Sequence, residues 1–160
     1  MAATPFIAVI GAGDAPAEVR ALAFEVGGEI AAHGAVLVCG GLGGVMEAAA
    51  QGAREAGGRT IGILPGYNRQ SANRYIEFPV ATGMGEARNA IVIGCADAVV
   101  ALAGEGGALA EIGFALKLKR PVVALGAWNE IAGLHRADTA AAAVTLALKL
   151  AGKPTEAPTR

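Results

Sequence analysis

Residues 35–46 read AVLVCGGLGGVM and combine an apolar run, a glycine-rich turn and the start of a helical pattern. It opens with five apolar residues, 35–39, without any alternation of polar side chains. A continuous apolar run of this length is typical of a strand covered on both faces, as in a parallel sheet. A glycine-rich turn follows, and Val45 begins a pattern with helical spacing. The stretch therefore predicts a strand, a tight turn and a helix, which is the unit of an α/β fold.

The same unit recurs along the chain. Further apolar runs lie at residues 6–10, 60–64, 98–102 and 121–125, and helical patterns lie at 16–33, 45–56, 109–119 and 139–150. We expect Asp14 to cap the first helix and Gly34 to end it. Strand and helix alternate, so the sequence predicts a single three-layer Rossmann-like domain with a mainly parallel sheet, over residues 1–151. Residues 152–160 hold two prolines and are expected to form a disordered tail.

Residues 65–94 interrupt this alternation. A polar loop at 67–75 is followed by a short strand-like run at 76–81 and a helical pattern at 86–94. Connections this long within a small domain are more often functional than idle. Either a mobile surface loop or a loop that closes over a ligand fits the residues from 65 to 75.

The composition excludes several classes of protein. Alanine and glycine supply 38 and 24 of the 160 residues, and the net charge is −1 without any run of like charge. Nucleic acid is therefore not an expected partner. The longest uncharged stretch, residues 30–46, contains five glycines and is shorter than the roughly 20 apolar residues of a membrane span. Because the first basic residue is Arg20, we expect no signal peptide and a cytoplasmic location.

Neither cysteine spacing nor histidine spacing indicates a metal site. Cys39 and Cys95 are expected to be small buried hydrophobes, and His33 and His135 are expected to be structural, the latter in a loop. High mean hydropathy without a membrane span favours apolar surface buried between subunits. We therefore expect a homodimer or homotetramer, with a contact that involves a helix such as 45–56. Trp128 is expected to cover apolar surface.

Three of the predicted strands end in glycine-rich turns. In an open parallel sheet, ligands bind at the carboxyl ends of the strands. Glycine there permits positive φ and lets backbone amides approach an anion, most often a phosphate, at the start of the next helix. The candidate ligand-binding or phosphate-binding glycines are Gly11, Gly13, Gly40, Gly41, Gly43, Gly44, Gly104, Gly106 and Gly107.

Several familiar phosphate and catalytic motifs are absent from the sequence. The dinucleotide fingerprint requires glycine where Pro16 stands, and an acidic residue where Cys39 and Gly40 stand. No Gly-Lys-Ser/Thr follows any glycine turn, which excludes a Walker A loop. No Gly-x-Ser-x-Gly is present either, so a serine hydrolase elbow is not indicated.

The order of the glycine turns and the residues around them resembles the Lonely Guy (LOG) family, formerly described as lysine-decarboxylase-like. The resemblance covers about residues 6–125 and rests on residues 40–46, 58, 61–65, 82–84, 88–89 and 104–111. It implies a Rossmann-like fold, homo-oligomers and a bound nucleotide-like phosphate. Enzymes of that family hydrolyse the N-glycosidic bond of adenine-type nucleoside 5′-monophosphates and release ribose 5-phosphate.

The chain departs from the family's catalytic loop, Pro-Gly-Gly-x-Gly-Thr-x-x-Glu, at two functional positions. Glu105 replaces the second glycine and Ala108 replaces the threonine, whereas the final glutamate is kept as Glu111. A carboxylate at position 105 repels a phosphate, and the threonine hydroxyl is lost as a donor. Residues 82–89 are more similar to a branch that includes molybdenum-cofactor carrier proteins, which bind, protect or deliver an anionic pterin phosphate.

Three charged residues are candidates for the site. Glu111 is predicted in the first turn of its helix, where it either complements the helix dipole or binds a ligand hydroxyl or an oxocarbenium-like centre. Arg88 is either a snorkelling surface residue or a bidentate partner for phosphate, and it can pair with Glu111. Glu105 is either solvated or accepts hydrogen bonds from the edge of a heterocycle.

The sequence thus predicts a protein that binds a phosphorylated heterocycle, either a nucleotide or a molybdopterin-type cofactor, in the manner of a molybdenum-cofactor carrier. The alternative is a phosphoribohydrolase for nucleoside 5′-monophosphates in which Glu111 and Arg88 are catalytic. No further cofactor is required under either prediction, and no metal ligand is assigned.

Overall fold

The five apolar runs all form strands, and they occupy the middle of one seven-stranded sheet. The computed structural model describes residues 3–152, so the predicted tail at 152–160 lies, except for Gly152, outside the described residues. The strands are β1 (Phe6–Ile10), β2 (Val36–Cys39), β3 (Arg59–Leu64), β4 (Phe78–Ala81), β5 (Ala98–Ala101), β6 (Val122–Leu125) and β7 (His135–Ala137). The helices are α1 (Ala17–Ala32), α2 (Val45–Glu55), α3 (Arg88–Cys95), α4 (Gly106–Lys117) and α5 (Ala140–Ala151). Short 3-10 turns occupy Arg69–Ser71 and Gly85–Ala87.

Every pair of neighbouring strands is parallel, and the strand order is β4-β3-β2-β1-β5-β6-β7. Alternate side chains of β1 enter two different apolar clusters. Ile7 and Val9 join the cluster formed with α1, α2 and α5, while Ala8 and Ile10 join the cluster formed with α3 and α4. This arrangement confirms the predicted three-layer, Rossmann-like α/β fold.

The strand order contains one switch point, where the direction of winding reverses. From β1 the chain winds outward through β2 and β3 to β4, and it then returns to place β5 on the other side of β1. In open α/β sheets the crevice at the carboxyl ends of the two strands beside such a point is the usual ligand site. A ligand site is therefore expected between the turns that leave β1 and β5.

Small residues allow α1 and α2 to pack with their backbones in close approach. A Cβ atom at Gly27 would lie 1.9 Å from the carbonyl oxygen of Ala49, and one at Gly52 would lie 1.9 Å from that of Phe24. Part of the unusual alanine and glycine content therefore serves packing within one chain. The expected oligomer, and a role for α2 in its contacts, stay predictions.

Several sequence-based predictions about local structure were wrong. Asp14 does not cap α1: the helix follows Pro16, without a side-chain hydrogen bond to its first turn. His135 lies in an edge strand, β7, rather than in a loop, because backbone pairing with β6 forms this strand without an apolar pattern. Cys95 is exposed at the end of α3, although Cys39 is buried as predicted. Gly34, with φ of 72°, ends α1 as expected.

Among residues 3–152, no helix has both the length and the apolar character that a membrane crossing requires.

Candidate functional site

The turns that leave β1 and β5 lie side by side at the switch point. The amide of Ala12 donates to the carbonyl of Ala103 over 2.9 Å, which joins the two turns. Between them is a cavity of about 220 Å³, which we call the switch-point cavity. It is lined by Gly11, Ala12, Gly13, Asp14, Glu105, Gly106, Gly107 and Ala108.

Helix α4 begins inside this cavity, three residues earlier than the sequence predicted. Its N-cap residue, Glu105, makes no side-chain hydrogen bond to the first turn. A Cβ atom at Gly106 would meet no atom within 4 Å, and one at Gly107 would meet only Asn89 Nδ2 at 3.9 Å. Gly106 and Gly107 are therefore open to the cavity, the first amides of α4 have no partner within the helix, and the positive end of the helix dipole favours an anion there.

A second cavity of about 220 Å³ adjoins the first and shares Gly11, Gly13, Gly107 and Ala108 with it. We call it the Arg88 cavity. Its other lining residues are Leu42, Met46, Glu86, Arg88, Asn89 and Glu111. The two cavities therefore adjoin each other at the turn after β1 and the first turn of α4.

Arg88 is the cation of this site, and it is buried rather than snorkelling at the surface, with only 6% of its area exposed. Its guanidinium donates through Nη1 to Asn89 Oδ1, and Nε has no hydrogen-bond partner. No described carboxylate lies within 4 Å of it, so the predicted pair with Glu111 does not form in direct contact. A buried guanidinium with an unpaired donor and no ion-pair partner is costly. An anion in the adjoining cavity would compensate its charge.

Glu111 is also buried, with 7% of its area exposed, and it lies in the second turn of α4 rather than the first. Burial raises the pKa of this carboxyl from 4.5 to about 7; the charge of Arg88 lowers it, and that of Glu86 raises it. Near neutral pH the carboxyl is therefore present in both the charged and the neutral form. A neutral Glu111 repels an anion less, and it can also donate a hydrogen bond.

The remaining charges of the two cavities are acidic. Asp14 and Glu105 line the switch-point cavity, and Glu86 lines the Arg88 cavity. The site therefore offers an anion one guanidinium and a set of backbone amides, against several carboxylates. Such a balance does not suit a ligand with high negative charge, unless its charged group lies close to the amides of α4 and to Arg88.

The glycines of residues 40–44 line neither cavity. Gly41 and Gly44 have φ of 77° and 64°, and a Cβ at Gly44 would lie 2.2 Å from the carbonyl oxygen of Ala12. A Cβ at Gly40 would press on Met46 Sδ at 2.7 Å and on the guanidinium of Arg88 at 3.0 Å. These glycines support the wall from behind, whereas Leu42 and Met46 present side chains to the Arg88 cavity. Direct ligand contact by Gly40, Gly41, Gly43 and Gly44 stays a prediction.

The polar loop that contains residues 65–75 supports the same turn. The backbone amide of Asn73 donates to the carbonyl of Gly41, and its side-chain amide donates to that of Leu42, both over 2.9 Å. Tyr67, Asn68, Arg69 and Gln70 line a separate hollow beside β4 rather than either site cavity.

Gly104, another predicted site residue, lines neither cavity, and ligand contact stays a prediction for every residue of the site. Sequence reasoning brought Gly11, Gly13, Arg88, Glu105, Gly106, Gly107 and Glu111 to one site, and the structure places these residues on the two cavities. It missed the lining residues Ala12, Asp14, Leu42, Met46, Glu86, Asn89 and Ala108 as contacts. Asp14 directly follows a glycine turn at a strand end, which was the available signal, but it was assigned to helix capping.

The fold and the cavities define a class of protein: a Rossmann-like domain with two adjoining cavities at the switch point of its sheet. The chain belongs to the SLOG cluster4 family, whose family model matches residues 4–151. This match confirms the predicted place in the LOG superfamily, close to the branch of the carrier proteins.

Two solved structures and one further sequence are similar to this chain. The molybdenum cofactor binding protein of the phototrophic bacterium Rippkaea orientalis superposes with a TM-score of 0.89 at 34% identity, covering 92% of this chain and 98% of that one. The molybdenum cofactor carrier protein of Chlamydomonas reinhardtii superposes with a TM-score of 0.86 at 38% identity, covering 94% and 100%. An uncharacterised protein of Archaeoglobus fulgidus is 44% identical over 127 residues, which is 75% of this chain and 83% of that protein.

Proposed function

We propose that this chain binds a phosphorylated heterocycle of the molybdenum-cofactor type across the two adjoining cavities, and that it serves as a carrier rather than a catalyst. The observation that carries the proposal is the opening of the first turn of α4 onto the switch point. There, Gly106 and Gly107 line one cavity with open space around them, and the adjoining cavity is lined by a buried Arg88 whose Nε has no hydrogen-bond partner. The likeness to proteins that bind or carry the molybdenum cofactor supports this ligand class.

The residues present fit such a group in three respects. The open face at Gly106 and Gly107 leaves room for a phosphate against the helix amides. Arg88 adds a positive charge that no described carboxylate neutralises by contact. Asp14 can accept hydrogen bonds from N–H donors at the edge of a heterocycle. The bound cofactor would supply its own redox chemistry elsewhere, and the residues of this chain would hold and shield it.

Among the described residues, no group of three or more histidine, cysteine, aspartate or glutamate side chains is placed to bind a metal ion. Cys39 is buried, and burial raises its pKa to about 12, so its side chain is a neutral thiol near neutral pH.

The second candidate function is hydrolysis of a nucleoside 5′-monophosphate. One observation favours it: Glu111 lines the Arg88 cavity with a pKa of about 7, which suits a carboxyl that exchanges protons near neutral pH. Against it, Ala108 offers no hydroxyl at the start of α4, and Glu105 places a negative charge beside the same turn.

Calorimetry and thermal-shift assays with molybdopterin, GMP and AMP test the proposal. We expect molybdopterin to bind and to raise the melting temperature, because a ligand that binds only the folded state stabilises it. Arg88→Gln should weaken this binding, whereas Arg59→Gln, at an exposed arginine of β3, should not. A folded wild-type protein that binds none of the three ligands overturns the proposal.

A separate assay decides between carrier and hydrolase. AMP is incubated with the protein, and free adenine is measured. We expect no release above the uncatalysed rate. Release that is lost in Glu111→Gln would establish the hydrolase instead.

A further inference from the structure

The loop between β6 and β7 reaches across to the exit of β5, next to the site. The indole Nε1 of Trp128 donates to the carbonyl of Leu102 over 2.8 Å. The next carbonyl, that of Ala103, accepts from the amide of Ala12 over 2.9 Å. Two consecutive carbonyls are thus held by two different loops, immediately before the turn at 104–107 that lines the switch-point cavity.

The backbone of Trp128 is itself held in an unusual conformation. Its φ of 64° lies in the left-handed region, which bulky residues rarely adopt. Arg136 of β7 fixes it there: its guanidinium donates to the carbonyls of Trp128, Asn129 and Ile131 and to Asn129 Oδ1, over 2.9 to 3.2 Å. A strained backbone conformation persists only where contacts with the surrounding residues hold it in place, and such residues cluster at functional sites.

The indole ring is anchored on its apolar side as well. It packs against the cluster that contains Ile112 and Ala115 of α4. Trp128 lines neither the switch-point cavity nor the Arg88 cavity, so it can act on a ligand only through the residues that it holds.

We propose that Trp128, locked in place by Arg136, is a positioning residue for the binding site. Its indole N–H fixes the Leu102 carbonyl and so sets the position of the 104–107 turn and of the first amides of α4 against the turn that follows β1. This inference rests on the proposed function, because it supposes that an anionic ligand binds between those two turns.

The test compares Trp128→Phe, which keeps an aromatic ring and removes the donor, with the wild-type protein. Hydrogen exchange is read at the amides of Ala12 and Leu109. The first donates to the carbonyl of Ala103, just before the turn, and the second donates to the carbonyl of Glu105, within the turn. We expect exchange there to be about three- to tenfold faster, and molybdopterin and GMP to bind more weakly by a similar factor, since one hydrogen bond is lost. Exchange in β3 and in α1 should not change.

Two further variants separate positioning from general destabilisation. Arg136→Gln leaves the indole in the chain but releases its backbone, and should change both readouts in the same direction; the emission of Trp128, the single tryptophan, should shift to the red. Arg54→Gln is the matched control. It removes an exposed guanidinium that donates to the Gly58 carbonyl over 3.1 Å, before β3 on the opposite edge of the sheet from the β5 exit, and should leave both readouts unchanged.

The outcomes distinguish this inference from the function on which it rests. Unchanged exchange and unchanged affinity in Trp128→Phe and Arg136→Gln overturn the positioning role, even if the wild-type protein binds its ligand. Wild-type protein that binds neither molybdopterin nor GMP overturns the proposed function, while faster exchange at Ala12 and Leu109 still supports the positioning of the turn.

Discussion

Two glycine-rich turns of this chain, at residues 40–44 and 104–107, resemble each other in sequence but differ in physical role. In the first, added Cβ atoms at Gly40, Gly41 and Gly44 would lie less than 3 Å from neighbouring atoms. In the second, the glycines inside α4 meet almost nothing: Gly106 has no neighbour within 4 Å of such an atom. The fold therefore requires the first turn, whereas the second is left open at Gly106 and Gly107 and is packed only at Gly104, where a Cβ would lie 2.7 Å from that of Ala108.

This difference shows what a glycine turn at a strand end does and does not reveal. Glycine is required where φ is positive or where another backbone passes closely. It is also useful where a ligand must reach the amides of a helix. Both requirements place glycine in the sequence, and only the atoms that surround each glycine in the structure distinguish them.

The largest expected effect is at Gly44, in the closely packed turn at residues 40–44. In Gly44→Ala the new methyl group collides with the carbonyl oxygen of Ala12, and the alanine must adopt the positive φ of Gly44. We therefore expect a loss of about 3 kcal/mol or more in the free energy of unfolding. Denaturant titration measures it. The matched control is Gly57→Ala, where φ is 79° but nothing lies within 4 Å, and the loss should be only about 1 kcal/mol. Equal losses would show that φ alone, and not packing, requires Gly44.

The next effect concerns Glu111, a buried carboxyl of α4, the helix that begins in the turn at residues 104–107. The pKa of Glu111 is about 7 in the folded protein against 4.5 for the free residue, so the folded state holds a proton that the unfolded state has already released. Its contribution to stability is therefore fully present below about pH 4.5, declines as pH rises towards 7, and changes little above that. Glu111→Gln cannot ionise, so above pH 7 it should be more stable than wild type by about 2–3 kcal/mol.

Denaturant titrations of both proteins across this pH range measure the difference. The advantage of Glu111→Gln should vanish in acid, where both side chains are neutral, and this provides an internal control. Parallel stability curves at all pH values would contradict the burial of an ionisable carboxyl at this position.

Much of the fold could be predicted from the sequence because the central strands are buried on both faces, which leaves continuous apolar runs. Strand β7 could not, since His135–Ala137 pairs with only one neighbour and carries no apolar pattern. The start of α4 at Gly106 was missed for a related reason: glycines have low helix propensity, and the first turn is fixed by its surroundings.

The candidate site was predicted only in part, because its location depends on strand order. Nothing in the pattern of apolar runs states that β5 lies beside β1, and that adjacency is what places the turn at 104–107 against Gly11–Asp14. The burial of Arg88 was equally hidden. A lone arginine on an apolar helix looks like a surface residue, and the space for its guanidinium is left by Gly40, a residue distant in sequence.

A smaller effect is expected at Gly106, where the turn at residues 104–107 is open. In Gly106→Ala the added methyl group meets no protein atom, so the free energy of unfolding should change by less than about 1 kcal/mol. The same methyl group stands where the ligand's anion would meet the amides, so molybdopterin affinity should fall about fivefold to tenfold. Gly113→Ala, in the exposed middle of α4, is the control that changes the helix without changing binding. Unchanged affinity in Gly106→Ala would remove the turn from the site.

The smallest expected effect asks what the carboxylate of Glu105 does on that open turn. If it mainly repels the phosphate, Glu105→Gln should tighten the binding of pyrophosphate about twofold to fivefold at low salt, because the side chain is exposed and its charge is screened. The gain should shrink in high salt, whereas the effect of Gly106→Ala, which is steric, should not. We expect this result, since nothing neutralises Glu105 in the cavity by direct contact among the described residues. A loss of GMP affinity with pyrophosphate binding unchanged would contradict it and would assign Glu105 to the N–H donors of the heterocycle. In either case the charge acts on ligand choice, because the exposed side chain of Glu105 makes no hydrogen bond to the first turn of α4.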